Sequence, residues 1–325
     1  MDRRQLLASL ASSGIWARAS NAGDLLKDQD RGIGRVPSAS QNQPGDRCGT
    51  DGETIEEEKN DSANAPAFLS QKVDTNVTLF RWPFRRLPLD QTERLRAKLK
   101  SLGVARAWAG TFEGVFQRDM TKVNDRLARH CFKVPFFSAI GSINLSLPNW
   151  RKDLQRCIEK HGMQGVRLHP NYHGYPLKGI AFEELIKVAG TAKVFVQIAV
   201  ALEDSRTQNR MVAVPDTALT HLKAVASRYP NTRIQLLNLR GLTGSLADLR
   251  SCENLFLDTA RIDGTDGVSQ ILQQFPSNRI LYGSHSPFLI PEASMIRMHE
   301  SGISLDVQRA VFKTNACRFV ANHVA

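Results

Sequence analysis

The chain has 325 residues, 42% hydrophobic and 23% charged, with 22 glycines, 14 prolines and five cysteines. These values exclude collagen-like, coiled-coil and disulfide-stapled classes, and no run reaches the roughly 18 uncharged apolar residues that a membrane-spanning helix needs. Lysine and arginine total 43 against 32 acidic residues, a formal charge of +11, yet the basic residues are scattered, as in Arg94, Arg96, Lys98 and Lys100, which reads as a solvated surface suited to an anionic small molecule rather than a nucleic-acid face.

Residues 1–22 begin with the pair Arg3 and Arg4, continue through a weakly apolar stretch from Leu6 to Ala17, and end among the small residues Ala17, Ala19 and Ala22. This order resembles a twin-arginine-type signal and implies an exported or periplasmic protein; the alternative is a frayed amphipathic helix on a cytoplasmic one. Residues 23–70 are rich in Asp, Gly, Ser, Asn, Gln and Glu, including Glu56, Glu57 and Glu58. Such a stretch buries too little apolar area to offset ordering entropy and reads as a disordered linker. The cysteines, at 48, 131, 157, 252 and 317, form no framework or zinc-type spacing.

From residue 71 to 325 the pattern alternates. Predicted strands are Val73–Phe80, Ala105–Ala109, Phe136–Ile140, Gly165–His169, Val194–Ala199, Arg233–Asn238, Leu255–Thr259 and Arg279–Tyr282. Between and after them lie amphipathic stretches predicted as helices: Asp90–Leu102, Arg118–Cys131, Asn149–Lys160, Phe182–Ala189, Pro215–Arg228, Ser245–Ser251, Gly267–Phe275, Pro291–Glu300 and Asp306–Ala321. Eight strand-then-helix units in about 255 residues predict an α/β fold of the (β/α)8 TIM-barrel type, whose usual size is about 250 residues. A doubly wound open sheet is the alternative, disfavoured because no βα turn carries Gly-x-Gly-x-x-Gly.

In such a barrel the strand C-termini share one mouth, where functional side chains gather. Polar residues predicted there are Asn76 and Thr78 with Arg81 beyond; Arg167, His169 and His173; Gln197 with Glu203, Asp204 and Arg206; Asn238 and Arg240; Asp258; and His285.

The segments Gly165-Val-Arg-Leu-His-Pro170, Arg228–Gly241, Asn254-Leu-Phe-Leu-Asp-Thr259, Arg279-Ile-Leu-Tyr-Gly-Ser-His-Ser-Pro-Phe288 and Asn315-Ala-Cys-Arg-Phe319 occur in the order found in the amidohydrolase superfamily. They resemble its amidohydrolase-related branch of decarboxylases, lactonases and hydratases. The resemblance implies a divalent metal such as zinc, held by Asp-x-His-x-His on strand one, a His ending each of strands five and six, and an Asp in a Gly-Ser-Asp-x-Pro turn. Here those places read Asp74-Thr-Asn76-Val-Thr78, Gln197, Asn238 and Gly283-Ser-His285-Ser-Pro287. Amides and hydroxyls are poor zinc donors, and without the ion the lowered pKa of a bound water is lost.

Three functional readings follow, the last a basic surface protein that binds acidic polymers through its scattered Arg and Lys. In the first, the barrel hydrolyses or decarboxylates a small anionic substrate. His285, Asp204 and Asn238 are then catalytic, while Asn76, Thr78, Arg81, His169, His173, Gln197 and Arg206 bind substrate; any metal would use His169, His173 or His285. In the second, it is a catalytically inactive barrel that keeps the pocket for a ligand or partner, and the amides bond one another and captured water. Nucleic acid is not expected as a partner, and a homo-oligomer is compatible with either of the first two readings.

Overall fold

In the computed structural model, the described residues are 71–240 and 245–321. The signal-like segment, the polar linker and Cys48 lie outside them. Among the described residues no helix is long and apolar enough to cross a membrane.

The strands run β1 (Lys72–Leu79), β2 (Val104–Thr111), β3 (Phe137–Ala139), β4 (Gly141–Ile143), β5 (Gly165–Leu168), β6 (Phe195–Ala199), β7 (Ile234–Leu237), β8 (Leu255–Asp258) and β9 (Ile280–Leu281). Every pairing is parallel and joins strands in chain order. The predicted third strand is interrupted at Ile140, so β3 and β4 are two halves of one stave; the Ile140 N–H still donates to Ala109 O at 2.9 Å. The ring closes where Thr75 N donates to Tyr282 O and Thr78 N to Ser286 O, both at 2.9 Å, beside a parallel bridge between Val77 and Ser286. Closure decides for the eight-stave barrel over the open sheet.

Helices between the strands cover the outside: α1 (Thr92–Ser101), α2 (Glu113–Phe116), α3 (Met120–Lys133), α4 (Trp150–Gln155), α5 (Pro170–His173), α6 (Ile180–Thr191), α7 (Leu222–Arg228), α8 (Ser245–Arg250), α9 (Gly267–Gln274), α10 (Pro291–Glu300), α11 (Leu305–Arg309) and α12 (Asn315–Ala321). Helix α3 shows the logic: Met120, Val123, Asn124, Leu127 and Cys131 recur at helical spacing and are buried, and the Asp119 side chain caps the start by accepting from Lys122 N. The expected helix Pro215–Arg228 begins only at Leu222. Its first part is pinned against the end of β6, where Thr217 N donates to Val200 O at 2.8 Å and Thr217 Oγ1 to Ala199 O at 3.1 Å. Helices α2 and α5, each of four residues, were too short to show a period and escape sequence reading.

The barrel floor is apolar. Trp108, Ile140, Phe195 and Leu281 pack with Ala316 and Phe319 of α12, which plugs the N-terminal end. Gly165 makes room: a Cβ there would lie 2.2 Å from Phe195 Cε2. Gly165→Ala is therefore expected to cost about 1–3 kcal/mol through overpacking, read as a lowered thermal midpoint; an unchanged midpoint would show that the Phe195 ring is free to move.

Candidate functional site

Above the floor the interior turns polar, in tiers. A register shift between Asp74 and Val77 lets β1 present more than one polar side chain inward. In the lower tier Gln235 Nε2 donates to Thr75 Oγ1 (2.8 Å), and Gln197 Nε2 donates to Gln235 Oε1 (2.8 Å) and Thr75 O (2.9 Å). Gln197 Oε1 in turn accepts from Arg167 Nε at 2.9 Å. The Arg167 guanidinium crosses the barrel, and its Nη1 donates to Val77 O and Thr78 Oγ1, both at 3.1 Å. Gly110 leaves the space for it, since a Cβ there would lie 2.7 Å from Nη1.

The upper tier is a carboxylate–amide ring. Asn76 Nδ2 donates to Asn238 Oδ1 (2.7 Å) and Asp258 Oδ2 (2.6 Å), while Asn238 N donates to Asp258 Oδ1 (3.0 Å). Asn238 adopts φ of 61° to do this, a left-handed conformation that asparagine tolerates better than most residues. Asp74 Oδ1 accepts from Asn76 N (3.1 Å) and Ser284 N (3.0 Å). Burial pushes the Asp74 carboxyl up to about 7, with the Ser284 and Asn76 hydrogen bonds pulling back and the Asp258 charge adding to the rise. Burial likewise raises Asp258 to about 6 against its hydrogen bonds from Asn238 and Asn76. The interior thus holds two carboxyl groups that titrate close to neutrality.

Imidazoles fill the rim. His285, with φ of 54° in the turn after β9, points Nε2 at Leu202 O (2.6 Å) and stacks on Phe288, ring centroids 5.1 Å apart. Desolvation lowers His285 to about 3 and His173 to about 4, and drives His169 well below its usual value. All three are neutral at pH 7. His173 Nε2 lies 3.1 Å from Gly114 O, and its ring sits between those of His169 (5.8 Å) and Tyr175 (6.2 Å).

Over the mouth lies an aromatic cap. Trp82 contacts the rings of Phe84, Phe112, Phe116, Tyr172 and Phe288 at centroid separations of 4.9 to 6.2 Å. In the interior and at the rim several buried polar atoms have no hydrogen-bond partner: Asp74 Oδ2, Arg167 Nη2, both nitrogens of His169, Nδ1 of His173 and of His285, and the Tyr175 hydroxyl.

The structure brings Asn76, Thr78, Gln197, Asn238, His169 and His285 together as buried members of this interior. His173 adjoins it. Asp204, Arg206 and Arg81 do not join them. Asp204 pairs at the rim with Arg206 (3.0 Å) and Arg261 (3.1 Å), and the Arg206 partnership holds its carboxyl well below the usual range. Arg206 and Arg81 are exposed. Sequence reading missed Asp74, Gln235 and Gly110 as members of the site. Gln235 had a signal, a lone amide in the apolar run Ile234–Leu237, whereas Gly110 had none, because its role is the space it leaves.

These residues do not suit a divalent ion. At the places where the resemblance implies ligands, Asn76 turns an amide N–H inward, the Gln197 oxygen is taken by a guanidinium, and Asn238 Nδ2 is spent on Ala201 O at 2.7 Å. Arg167 already brings a positive charge to Thr78 and Gln197. Among the described residues no group of three or more His, Cys, Asp or Glu side chains is placed to hold a metal.

A closed parallel barrel with a polar interior at the strand C-termini defines a member of the TIM-barrel class. The amidohydrolase family profile matches residues 84–321, and the chain belongs to that family. No curated protein matches it. Among solved structures it is similar to a putative amidohydrolase from Staphylococcus aureus (12% identity, TM-score 0.61, 77% of this chain and 99% of that one). It is also similar to 2,6-dihydroxybenzoate decarboxylase from Rhizobium (14%, 0.60, 77% and 98%). A third is 5-carboxyvanillate decarboxylase from Novosphingobium aromaticivorans, complexed with manganese and 4-hydroxy-3-methoxy-5-nitrobenzoic acid (16%, 0.60, 77% and 96%). At such identities these structures establish the shared fold.

Proposed function

We propose that the barrel interior receives a small aromatic carboxylate and that its chemistry is decarboxylation rather than hydrolysis. The observation that carries this reading is the gathering of buried, unpartnered polar atoms in the interior and at the rim, together with an aromatic cap. Native interiors leave few such atoms, and a cluster at one end of a barrel calls for an occupant. Metal-assisted hydrolysis needs a water activated by a bound ion, and among the described residues no group of three or more His, Cys, Asp or Glu side chains is placed to hold one. Decarboxylation asks for less: an acid that protonates the ring carbon bearing the carboxylate, after which the carbon–carbon bond breaks, its electron pair restores the aromatic ring and carbon dioxide leaves.

Asp74 suits the acid role. Its pKa of about 7 keeps a proton available at neutral pH, and Oδ2 is unpartnered. His285, at about 3, holds no proton to give. Solvent would return the proton to Asp74 after each turnover. Two of the structural neighbours are decarboxylases of aromatic carboxylic acids, which agrees with this choice.

The test is incubation of the full chain with hydroxybenzoates, 2,6-dihydroxybenzoate first, followed by chromatography of the phenolic product and carbon dioxide release. Turnover is expected, reduced about 100-fold or more in Asp74→Asn. The packed cap, which buries the mouth under Trp82 and Phe112, favours a second reading, a barrel that binds and does not turn over. Saturable binding without product would select that one. Absence of both would sink the two together.

A further inference from the structure

The strongest unexplained feature of the interior is its cation. Arg167 is 1% exposed, and its acceptors, Gln197 Oε1, Val77 O and Thr78 Oγ1, are all neutral. Among the described residues it makes no ion pair within 4.0 Å, and Nη2, also buried, has no partner. A buried guanidinium left in that state is strongly unfavourable, since desolvation costs several kcal/mol and only a well-placed counter-charge offsets it. The side chain is nonetheless accommodated deliberately: Gly110 opposite leaves a slot in which a Cβ would lie 2.9 Å from Cζ. Burial lowers the guanidinium to about 10, so it stays charged at neutral pH.

Counter-charge inside is incomplete. The Asp74 and Asp258 carboxylates support the Arg167 charge from a distance without bonding to it, and burial drives both toward their neutral forms. The charge of Arg167 also bears on His169 and His285, two of the three rim imidazoles with unpartnered nitrogens. His169, close enough to feel the Arg167 charge, has both ring nitrogens bare, so its N–H is uncommitted.

We propose that Arg167 is the resident cation of this barrel, holding a small oxyanion of the carboxylate type through Nη2, and that it serves in place of a divalent metal ion. With Nε and Nη1 already committed, Nη2 offers a carboxylate one charge-assisted bond, and in a buried setting that contact is worth more than at a surface. The chamber shared with the reading above is all this inference takes from it; an anion on Arg167 does not require that any bond be broken.

The experiment uses the full chain after chelator treatment and buffer exchange into a weakly coordinating salt. Formate and benzoate are titrated separately while the thermal midpoint is followed, beside zinc and manganese at equal concentrations. Saturable stabilisation by the anions, roughly 5–10 °C at about 100-fold excess over the dissociation constant, is expected, with no saturable effect of either metal. In Arg167→Met the anion response should vanish, and the midpoint in anion-free buffer should be equal to or above that of the parent, because the unpaired charge is gone. In Arg167→Lys, which keeps charge and loses the planar fork, anion affinity should fall about tenfold or more. Stoichiometric stabilisation by zinc or manganese, or an anion response that survives Arg167→Met, overturns the proposal. Anion binding on Arg167 without turnover of hydroxybenzoates would leave it standing while the decarboxylase reading fails; hydroxybenzoate turnover by Arg167→Met with unchanged KM would do the reverse.

Discussion

Asp74→Asn is expected to be as stable as the parent at pH 4 and more stable at pH 8. The sign follows from the carboxyl group's two states. Its folded pKa is about 7, raised by burial, against an ordinary value of 3.8 in the unfolded chain. Between those values the folded protein binds the extra proton, so the stability that this group contributes is present at low pH and is lost as pH rises from about 4 to 7. An asparagine keeps an oxygen for the N–H groups of Asn76 and Ser284 and never ionises. The difference between the two proteins should therefore grow through that window to roughly 2–4 kcal/mol, a midpoint shift of roughly 5–10 °C.

The parent alone would mislead. His285 and His173, lowered to about 3 and 4, destabilise in the opposite direction, because the unfolded chain gains their protons as pH falls below 6.5. The two trends oppose each other from pH 4 to 6.5, so the measurement is the variant-minus-parent midpoint across pH 4 to 8. A difference that stays level would remove the raised Asp74 pKa. Together with the expected loss of turnover, a variant more stable and less active would separate a chemical role for Asp74 from a structural one.

Trp82→Ala is the second large effect. Trp82 is 3% exposed and touches five other rings. Truncating a buried tryptophan removes its transfer energy and leaves a cavity, about 3–5 kcal/mol together, which lowers the thermal midpoint by roughly 10 °C. The same cavity opens the mouth, so benzoate should associate and dissociate faster, as read by stopped-flow mixing. A midpoint within 2 °C of the parent, beyond the reach of that energy, would mean that the cap is not packed; unchanged association rates with a lowered midpoint would mean that ligands reach the interior by another path.

Much of the architecture was legible in the chain. Eight apolar runs of strand length separated by amphipathic stretches give the barrel, since alternation at that spacing leaves few ways to bury every apolar face. The misreadings trace to contacts between elements. The third stave breaks at Ile140 next to Gly141, where a Cβ would lie 2.6 Å from Cys157 Sγ, a contact made across 16 residues of chain. The segment from Pro215 gives up its helix to hydrogen bonds with β6. In the site, Asn76, Gln197, Asn238 and His285 stand out as polar residues within or just after strands and are all buried. Asp204 and Arg206 have the same composition and end at the rim, because their mutual ion pair is satisfied in solvent.

From its letters alone this protein is determined to be an alternating α/β barrel of a recognisable family, with amides and an imidazole among its strands and turns. That follows because periodicity and residue type are local properties. What those side chains do to one another was decided only by folding. Arg167 is one basic residue among 43 in the chain and becomes the interior cation only because β5 aims it across the barrel at Thr78 and Gln197, over the space Gly110 leaves open. Asp74 becomes a near-neutral acid only because ring closure buries it beside Ser284 and Asp258. Charge, desolvation and hydrogen bonding act over a few ångströms of space, and that proximity is created by contacts between residues up to 210 positions apart.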